Sequence, residues 1–541
     1  MSASTSDVET RSFKVDLVKK ALSGLARVGT VVYLIYVAIE CYIYFLPVFV
    51  PDEINFVVLT SVLADATSPG WISGLIYRDN LVGYGSAYWT TYLNLYLLFG
   101  HWAIWSMRLI AFLASISIPI ALSQSSCRTK PSVSYLASAL WLTMPIAWWS
   151  GKISATEVIA MACLIHGVLQ LFRSESEYID TKKHKWNRLR LGWFLIGFAI
   201  SLKLTMLPAF VFALVATFPV ALEKKSIYIQ RSFVFLANSG LACILGFIAG
   251  SPNCVFAPSQ YLAQMYSVPQ GPAWDWNIAM LHLNNKFWAW DGVFTGGVLH
   301  WSVGLPSFAI LATTAMLIRP RVLVSSVVSF LVCWAILAKA GILLGWYWFG
   351  WITVLPLAVV HLFQLPISRS QLRFSTIAIA IAIVLNAFSQ FGNLTAQIAS
   401  KHEHYVAVLE MPKLNELING LLEDQHFDVI LDLSEVTPEN GLQMKKAMGS
   451  EIFQTSPIAV WSNISASPFL KLHKLSEEGS VGKSTLIILS KRLARSQVFA
   501  NIEKYLETSV LPKSPPGTTS RCISDLPNTW IYELRTAPLA L

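Results

Sequence analysis

The chain has 541 residues, of which 54% are hydrophobic and only 13% are charged, and its formal net charge is +9. A soluble protein this apolar would aggregate, so the composition predicts a membrane protein. The basic residues lie in short clusters between apolar runs, where they set membrane orientation, so the net charge does not indicate a nucleic-acid partner.

Ten apolar runs are candidate membrane spans, because roughly 20 residues cross the ~30 Å hydrocarbon core of a bilayer. They are residues 30–50, 105–123, 132–149, 155–172, 191–221, 233–251, 301–318, 322–345, 347–364 and 374–391. Two stretches leave the number of spans open. Residues 191–221 are too long for one comfortable span and short for two, and residues 84–100 are amphiphilic, so they either cross or lie flat.

The distribution of basic residues decides both questions. If 191–221 is a tight hairpin with Lys203 at its tip, and 84–100 lies on the outer surface, six basic clusters share the inner side. These clusters lie within residues 1–28, 128–130, 173–190, 224–231, 319–321 and 369–373. The positive-inside rule then predicts about 11 transmembrane helices, a cytoplasmic segment 1–28, a membrane domain 29–391 with outer loops 51–104 and 252–300, and an outer C-terminus.

After residue 391 the composition becomes mixed polar and apolar. Strand-like runs at 428–433, 458–461, 485–489 and 530–534 alternate with helical patterns at 406–422 and 496–507. This alternation predicts a small α/β domain over residues 392–541 on the outer face. The proline-rich segment 511–517 is predicted to be a loop within it.

An acidic pair, Asp52 and Glu53, directly follows the first apolar run. A carboxylate at a membrane–water boundary is suited to take a proton from an acceptor hydroxyl, because partial desolvation raises its basicity without forbidding the charge. On charge alone, an ordinary solvated loop explains the pair equally well. Arg78 and Asp79 lie in the same predicted outer loop.

Further polar motifs follow in a fixed order along the chain. They are Gly83-Tyr84-Gly85-Ser86-Ala87-Tyr88, Phe99-Gly100 with Arg108-Leu109, Glu157 after the polar turn that starts at Ser150, Lys203 after Gly197, and the late residues Lys339, Tyr347 and Pro356. Together with the acidic pair, this order resembles the GT-C superfamily of polyprenol-dependent glycosyltransferases, in particular the branch of protein O-mannosyltransferases and lipid A aminoarabinose transferases. The resemblance covers about residues 29–365, without the Pro-Pro that often precedes the surface-helix tyrosine.

The resemblance implies roles for these residues. Asp52 would be the general base or would orient the acceptor, and Glu53 would support it or bind the acceptor. Lys203 and Arg78 would neutralise the phosphate of a polyprenyl-phosphate sugar as it leaves, since fixed cations placed where charge develops lower the barrier. The remaining substrate-binding candidates are Asp79, Tyr84, Glu157, Lys339 and Tyr347. A single displacement would invert the anomeric carbon.

Two of these residues have simpler explanations. Lys203 is also explained as a lysine at a helix end whose ammonium reaches the interface, and Glu157 as an acid that complements the dipole at a helix start. A transporter or flippase of a lipid-linked or small polar substrate is the alternative function. Transporters usually show repeated halves and ionisable groups near the middle of the bilayer, whereas this chain shows no repeat and most of its candidate charges lie at one face.

The expected partners are a polyprenyl-phosphate sugar donor, a lipid, glycan or protein acceptor, and membrane lipids. The seven cysteines show neither a CxxC pair nor metal-ligand spacing, so no metal site is predicted, although a divalent metal stays possible. The expected location is the bacterial inner membrane, or the endoplasmic reticulum membrane in a eukaryote.

The topology is tested by single-cysteine labelling at Ser176 and Ser434. We expect a membrane-impermeant reagent to reach the cysteine at 434 from outside and the one at 176 only after permeabilisation, because the basic clusters hold 173–190 inside. Labelling of both positions from the same side would contradict this topology.

Overall fold

The computed structural model describes two compact units, one helical and one built around a sheet. The first contains residues 24, 31, 86–99, 103–125, 131–144, 146–147, 156–181, 186–217, 225–259, 261–262, 276–281, 283, 303–340, 348–364 and 368–388. The second contains residues 413, 416–417, 420–421, 429–433, 485–490, 507, 511–513, 516–527 and 529–536. Apart from Val31, the predicted first span at 30–50 lies outside the described residues.

Most helices of the first unit overlap the apolar runs. The helices are α1 (Ser86–Phe99), α2 (Ala103–Ser123), α3 (Pro131–Thr143), α4 (Thr156–Thr181), α5 (Trp186–Leu202), α6 (Leu207–Thr217), α7 (Lys225–Gly250), α8 (Asn253–Phe256), α9 (Trp276–Leu281), α10 (Leu305–Ile318), α11 (Pro320–Ala340), α12 (Phe349–Ile352), α13 (Val354–Gln364) and α14 (Arg369–Phe388). Helix α1 lies in the amphiphilic stretch 84–100, whereas α8 and α9 lie in the predicted outer loop 252–300.

Within the described part of the chain, five helices are long and apolar enough to cross a membrane. They are α2, α4, α7, α11 and α14, each with a stretch of at least 18 residues of high mean hydropathy. Large apolar side chains on their outer faces are exposed, for example Phe233, Ile244 and Phe388. Such faces require an apolar solvent, so the protein is a polytopic helical membrane protein. The total of 11 spans stays a prediction.

Hydrogen bonds fix the directions of the helices around α5. In α5, Arg190 donates to Asn238 of α7 at 2.9 Å, and near the other end the Ser251 hydroxyl donates to the Ser201 carbonyl at 3.1 Å. Residue numbers rise together in these two contacts, so α5 and α7 are parallel. Since α6 lies between them in the chain, it has to run back. Lys203 is therefore the point at which the chain reverses.

The same reasoning orders the other helices. Arg321 donates to the Val215 carbonyl and Ser329 to the Pro208 carbonyl, so α11 is antiparallel to α6. Asn386 accepts from the Gly304 amide and Ser307 donates to the Ala382 carbonyl, which makes α14 antiparallel to α10.

The structure corrects one detail of the predicted hairpin. The stretch 191–221 does contain two helices with Lys203 between them, but α5 packs mainly on α4 and α7, whereas α6 packs mainly on α11. The two arms are not a tight hairpin, because the extended backbone of Lys203 and the 3₁₀ turn Leu204–Met206 redirect the chain.

Basic side chains of the described helices concentrate at the end of the bundle that is opposite Lys203. These residues are Arg173, Arg188, Arg190, Arg319, Arg321, Arg369 and Arg373. We call it the arginine end and the opposite one the Lys203 end. By the positive-inside rule we expect the arginine end to be the inner one.

Glycines let the backbones of α5 and α7 approach closely. A Cβ added at Gly197 would overlap the Cys243 carbonyl, and one added at Gly246 would overlap the Phe194 carbonyl. Helices in membranes associate through such small residues, because lipid tails supply no hydrophobic driving force between them. The position of the end of α5, and so of Lys203, depends on this contact.

The second unit is a four-stranded sheet of order β1-β2-β4-β3, in which β1 and β2 are parallel and the other pairs are antiparallel. Its strands are β1 (Val429–Leu433), β2 (Thr485–Ser490), β3 (Thr518–Asp525) and β4 (Thr529–Thr536). Consecutive residues of β2, such as Leu486 and Ile487, are fully buried, so both faces of the sheet are covered.

Three of the strands overlap strand-like runs of the sequence, and the predicted run at 458–461 lies outside the described residues. Strand β3 was not predicted from the sequence, because it lacks the apolar pattern of a buried strand. It is a polar strand at the edge of the described sheet, and its side chains are exposed or partly exposed. The position of this unit on the outer face stays a prediction.

The glycine contact gives a matched pair of variants in α7. Gly246→Ala should lower the melting temperature of the detergent-purified protein, because the methyl group meets the Phe194 carbonyl and overpacking typically costs about 1–3 kcal/mol. Gly240→Ala should be neutral or stabilising, since nothing lies within 4 Å of an added Cβ there. Equal melting temperatures for the two variants would contradict the close contact.

Candidate active site

A buried ion pair joins the start of α4 to the end of α5. The Lys203 ammonium lies 2.6 Å from Oε1 of Glu157, and the two side chains are only 7% and 5% exposed. The Thr156 hydroxyl lies 3.3 Å from Oε2 of the same carboxylate and donates to it. Two residues that the sequence marked separately as substrate-binding candidates therefore act on each other.

The fold brings this pair together from 46 residues apart in the chain. Helices α4 and α5 are antiparallel, with Gly167 and Gly192 at their closest approach, so the first turn of α4 meets the last turn of α5. Glu157 lies in that first turn, where the helix dipole also favours a negative charge. The helix-start explanation of Glu157 is thus compatible with its role in the ion pair.

Lys203 occupies a break between two helical segments. Its φ of −152° and ψ of 113° are extended, yet its amide still donates to the Ala199 carbonyl at 3.1 Å. Its carbonyl accepts from the Met206 amide at 3.0 Å. The break therefore leaves neither backbone group of the lysine without a partner. Because the side chain is buried, the explanation of Lys203 as a lysine whose ammonium reaches the membrane interface does not fit this position.

Two contacts hold the backbone around the break. On one side, Ser251 donates to the Ser201 carbonyl, and the Gly250 backbone lies against the Ser201 side chain. On the other side, Gly350 of α12 lies so close to the Thr205 carbonyl that a Cβ would overlap it. Lys203 is consequently held by rigid elements, as a group that must meet a substrate in a fixed geometry should be.

Arg108 places a further cation at the same level of the bundle. His166 of α4 lies 3.1 Å from Ser117 of α2, and Arg173 of α4 donates to the Gln124 carbonyl just after α2. In both contacts the residue numbers differ by 49, so α2 and α4 run parallel. Arg108 and Glu157 are also 49 residues apart, and the arginine is only 6% exposed. The Arg108-Leu109 motif thus puts a buried cation level with the ion pair, which the sequence alone did not indicate.

Lys339 differs from these three charged residues in being exposed. It lies in the last turn of α11 and is exposed, about one turn beyond Trp334, whose indole donates to the Ala279 carbonyl at 2.9 Å. Since α11 is antiparallel to α6, Lys339 also belongs to the Lys203 end. It stays a candidate for donor binding.

The other predicted site residues lie outside the described residues. They are Asp52, Glu53, Arg78, Asp79, Tyr84 and Tyr347. Within the described ranges, no three His, Cys, Asp or Glu side chains come together as a metal site.

Comparison with known proteins gives a structural likeness and no sequence family. No protein-family model matches the chain, and no curated protein matches it at a significant level. Among solved structures, ArnT from Cupriavidus metallidurans bound to undecaprenyl phosphate is similar, with 11% identity and a TM-score of 0.42 over 94% of this chain and 98% of that chain. The apo state of ArnT has 12% identity and a TM-score of 0.44 over the same shares.

The ion pair predicts non-additive effects on stability. Glu157→Gln or Lys203→Met alone should lower the melting temperature strongly, because an uncompensated buried charge typically costs about 3–5 kcal/mol. The double variant should recover much of that loss, since neither charge is then left unpaired.

Arg190→Gln serves as the control, because the exposed bond from Arg190 to Asn238 should contribute little. Additive losses in the double variant, measured by thermal unfolding in one detergent, would mean that the two side chains do not stabilise each other.

Proposed function

We propose that this chain is a membrane glycosyltransferase that transfers a sugar from a polyprenyl-phosphate donor to an envelope lipid, glycan or protein at the outer membrane face. The observation that carries the proposal is the buried pair of Lys203 and Glu157 at the helix break. Ionisable groups inside a membrane domain are costly and are functional by default. Here they lie at two positions that also belong to the motif order resembling the GT-C glycosyltransferases.

In this reaction an acceptor hydroxyl oxygen attacks the anomeric carbon as the bond from that carbon to the phosphate oxygen breaks. Polyprenyl phosphate leaves with the bonding electrons, and Asp52 takes the proton of the hydroxyl. Negative charge therefore develops on the phosphate, where a fixed ammonium stabilises the transition state more than the ground state. A single displacement inverts the anomeric carbon.

Lys203 is proposed as the group that stabilises this charge, and Glu157 as the residue that positions it. Before the donor binds, the carboxylate pairs with the buried ammonium, and this attraction offsets part of the cost of removing the charge from water. Arg108, buried at the same level, would add positive charge to the region. Arg78, Asp79, Tyr84, Lys339 and Tyr347 are proposed to complete the binding of donor and acceptor, with Glu53 supporting Asp52.

The position of the ion pair favours an enzyme over a transporter. Transporters usually bind their substrates near the bilayer midplane, at the interface of two structural repeats. Glu157 and Lys203 instead lie in the first turn of one helix and directly after the last turn of another, at one end of the bundle. The domain arrangement that we propose keeps residues 29–391 as the membrane domain and residues 392–541 as an extracytoplasmic α/β domain.

The proposal is tested by reconstituting the purified protein in vesicles made from the lipid extract of its own membrane. The readout is release of free polyprenyl phosphate from its sugar ester, measured by mass spectrometry, because every donor sugar gives this product. Asp52→Asn should lose most turnover, since removal of a general base typically costs about 10² to 10⁴ in rate. Glu53→Gln should be affected less.

The double variant Glu157→Gln/Lys203→Met separates catalysis from folding. It should melt close to the wild type yet release polyprenyl phosphate far more slowly, because the cation is gone. Arg190→Gln should keep normal turnover. Near-wild-type release by both Asp52→Asn and the double variant would remove these residues from the mechanism, and movement of an intact lipid-linked sugar across the vesicle membrane would favour the transporter.

A further inference from the structure

An apolar cavity of about 510 Å³ lies between α10, α11, α13 and α14. Its walls include Phe308, Ala312, Val327, Trp351 and Ile379, and among the described lining residues Ser326 is the one with a hydroxyl. The volume is within the roughly 300–1,000 Å³ range of ligand-binding pockets. Val327 lies on the same face of α11 as the exposed residues Val324 and Leu331, so the cavity borders the outer, lipid-facing side of the bundle.

The few polar groups in the wall are already satisfied. The Ser326 hydroxyl donates to the Val322 carbonyl at 2.8 Å, and the Trp351 indole donates to the Ser326 carbonyl at 3.3 Å. A sugar or a phosphate would find no available partner among the described lining residues and would lose the hydrogen bonds that it makes in water. The chemistry of the wall suits a hydrocarbon chain.

Four arginines lie where the cavity approaches the arginine end of the bundle. Ala315 and Val322 line the cavity, and Arg319 and Arg321 lie between them in the chain. Two hydrogen bonds, Gly304–Asn386 and Ser307–Ala382, set the register of the antiparallel helices α10 and α14. Continued to the end of α10, this register places Arg319 level with the first turn of α14. That turn carries the exposed residues Arg369 and Arg373.

The charge at this end is positive after its acidic neighbours are counted. Glu175 of α4 is the carboxylate whose charge acts on Arg321. Glu177 and Asp180 follow it in the last turns of α4, so three acidic residues stand against the seven arginines of the arginine end, and the balance of the described helices stays positive. An apolar cavity bounded by such a cluster complements one class of molecule, an amphiphile with a hydrocarbon chain and an anionic headgroup.

We propose that this cavity binds one acyl chain of an anionic phospholipid of the inner leaflet, with the lipid phosphate held by Arg369, Arg373 and the Arg319–Arg321 segment. The four arginines lie at the end opposite Lys203, so the headgroup site is separate from the proposed transfer site, while the cavity wall extends toward the Lys203 end as far as Phe330 and Trp351. The proposal does not depend on the transfer reaction. Juxtamembrane basic clusters attract anionic lipids of the cytoplasmic leaflet, and here the cavity adds a place for the chain.

The test compares phosphatidylglycerol with phosphatidylcholine of the same acyl chains, by native mass spectrometry of the full-length protein released from detergent. We expect selective retention of phosphatidylglycerol. Arg369→Gln/Arg373→Gln should weaken it about 30-fold, from the usual contribution of two basic residues close to an anionic lipid. Both residues are exposed, so the variant should fold.

Two further variants separate the chain from the headgroup. Ala312→Leu fills part of the cavity and should lower retention of both phospholipids, whereas Arg188→Gln removes a basic residue elsewhere at the arginine end and should change neither. Phosphatidylglycerol with a photoactivatable group on its acyl chain should cross-link to α10, α11 or α13.

Equal retention of the two phospholipids by the wild type, or unchanged retention in the double arginine variant, would overturn the proposal. Displacement of phosphatidylglycerol by an equal concentration of polyprenyl phosphate would also overturn it, because the cavity would then belong to an isoprenoid chain.

Discussion

The close contact of α5 with α4 and α7 is the constraint on which the Lys203 end of the bundle depends. Gly192, Gly197 and Gly246 bring the three backbones to distances that no side chain would permit. Membrane helices gain little from burying apolar surface against each other, so this packing supplies much of their association energy. Through it the end of α5 meets the start of α4, and the two charged residues at those ends become neighbours.

The ion pair carries a cost that packing has to offset. Two charges are removed from water, and their attraction recovers the loss only when geometry and further hydrogen bonds are good. Glu157 has its bond from Thr156, and the backbone of Lys203 keeps both of its hydrogen bonds. A buried ion pair that serves only stability can often be replaced by apolar residues. The presence of the pair at a helix break therefore fits a role in which the charge itself is needed.

The sequence predicted the helical unit well because its signals are strong and local. A run of about 20 apolar residues can satisfy its backbone in a membrane only as a helix, and basic clusters mark one side. The division of 191–221 into two helices followed from charge alone. The separation of α5 from α6 did not, because it depends on partner helices that are distant in sequence.

The same limit applies to the site. Glu157 and Lys203 were recognised as charged residues at span ends, while their contact required the register of α4 on α5. Arg108 was visible only as part of a motif, and its burial arises from tertiary packing.

Among the described strands β3 lies at one edge of the sheet, and the features along it bear on association between copies of the protein. An open sheet edge exposes unpaired amides and carbonyls that another chain can extend. The register of β3 on β4 shifts between Cys522 and Ser524, and Arg521 and Asp525 place charges along the strand. A bulge and charged side chains are devices that make an edge a poor template for a further strand. The apolar helices of the first unit favour aggregation before they reach the bilayer. In the second unit, the bulge and the charges of β3 disfavour further aggregation through strand pairing.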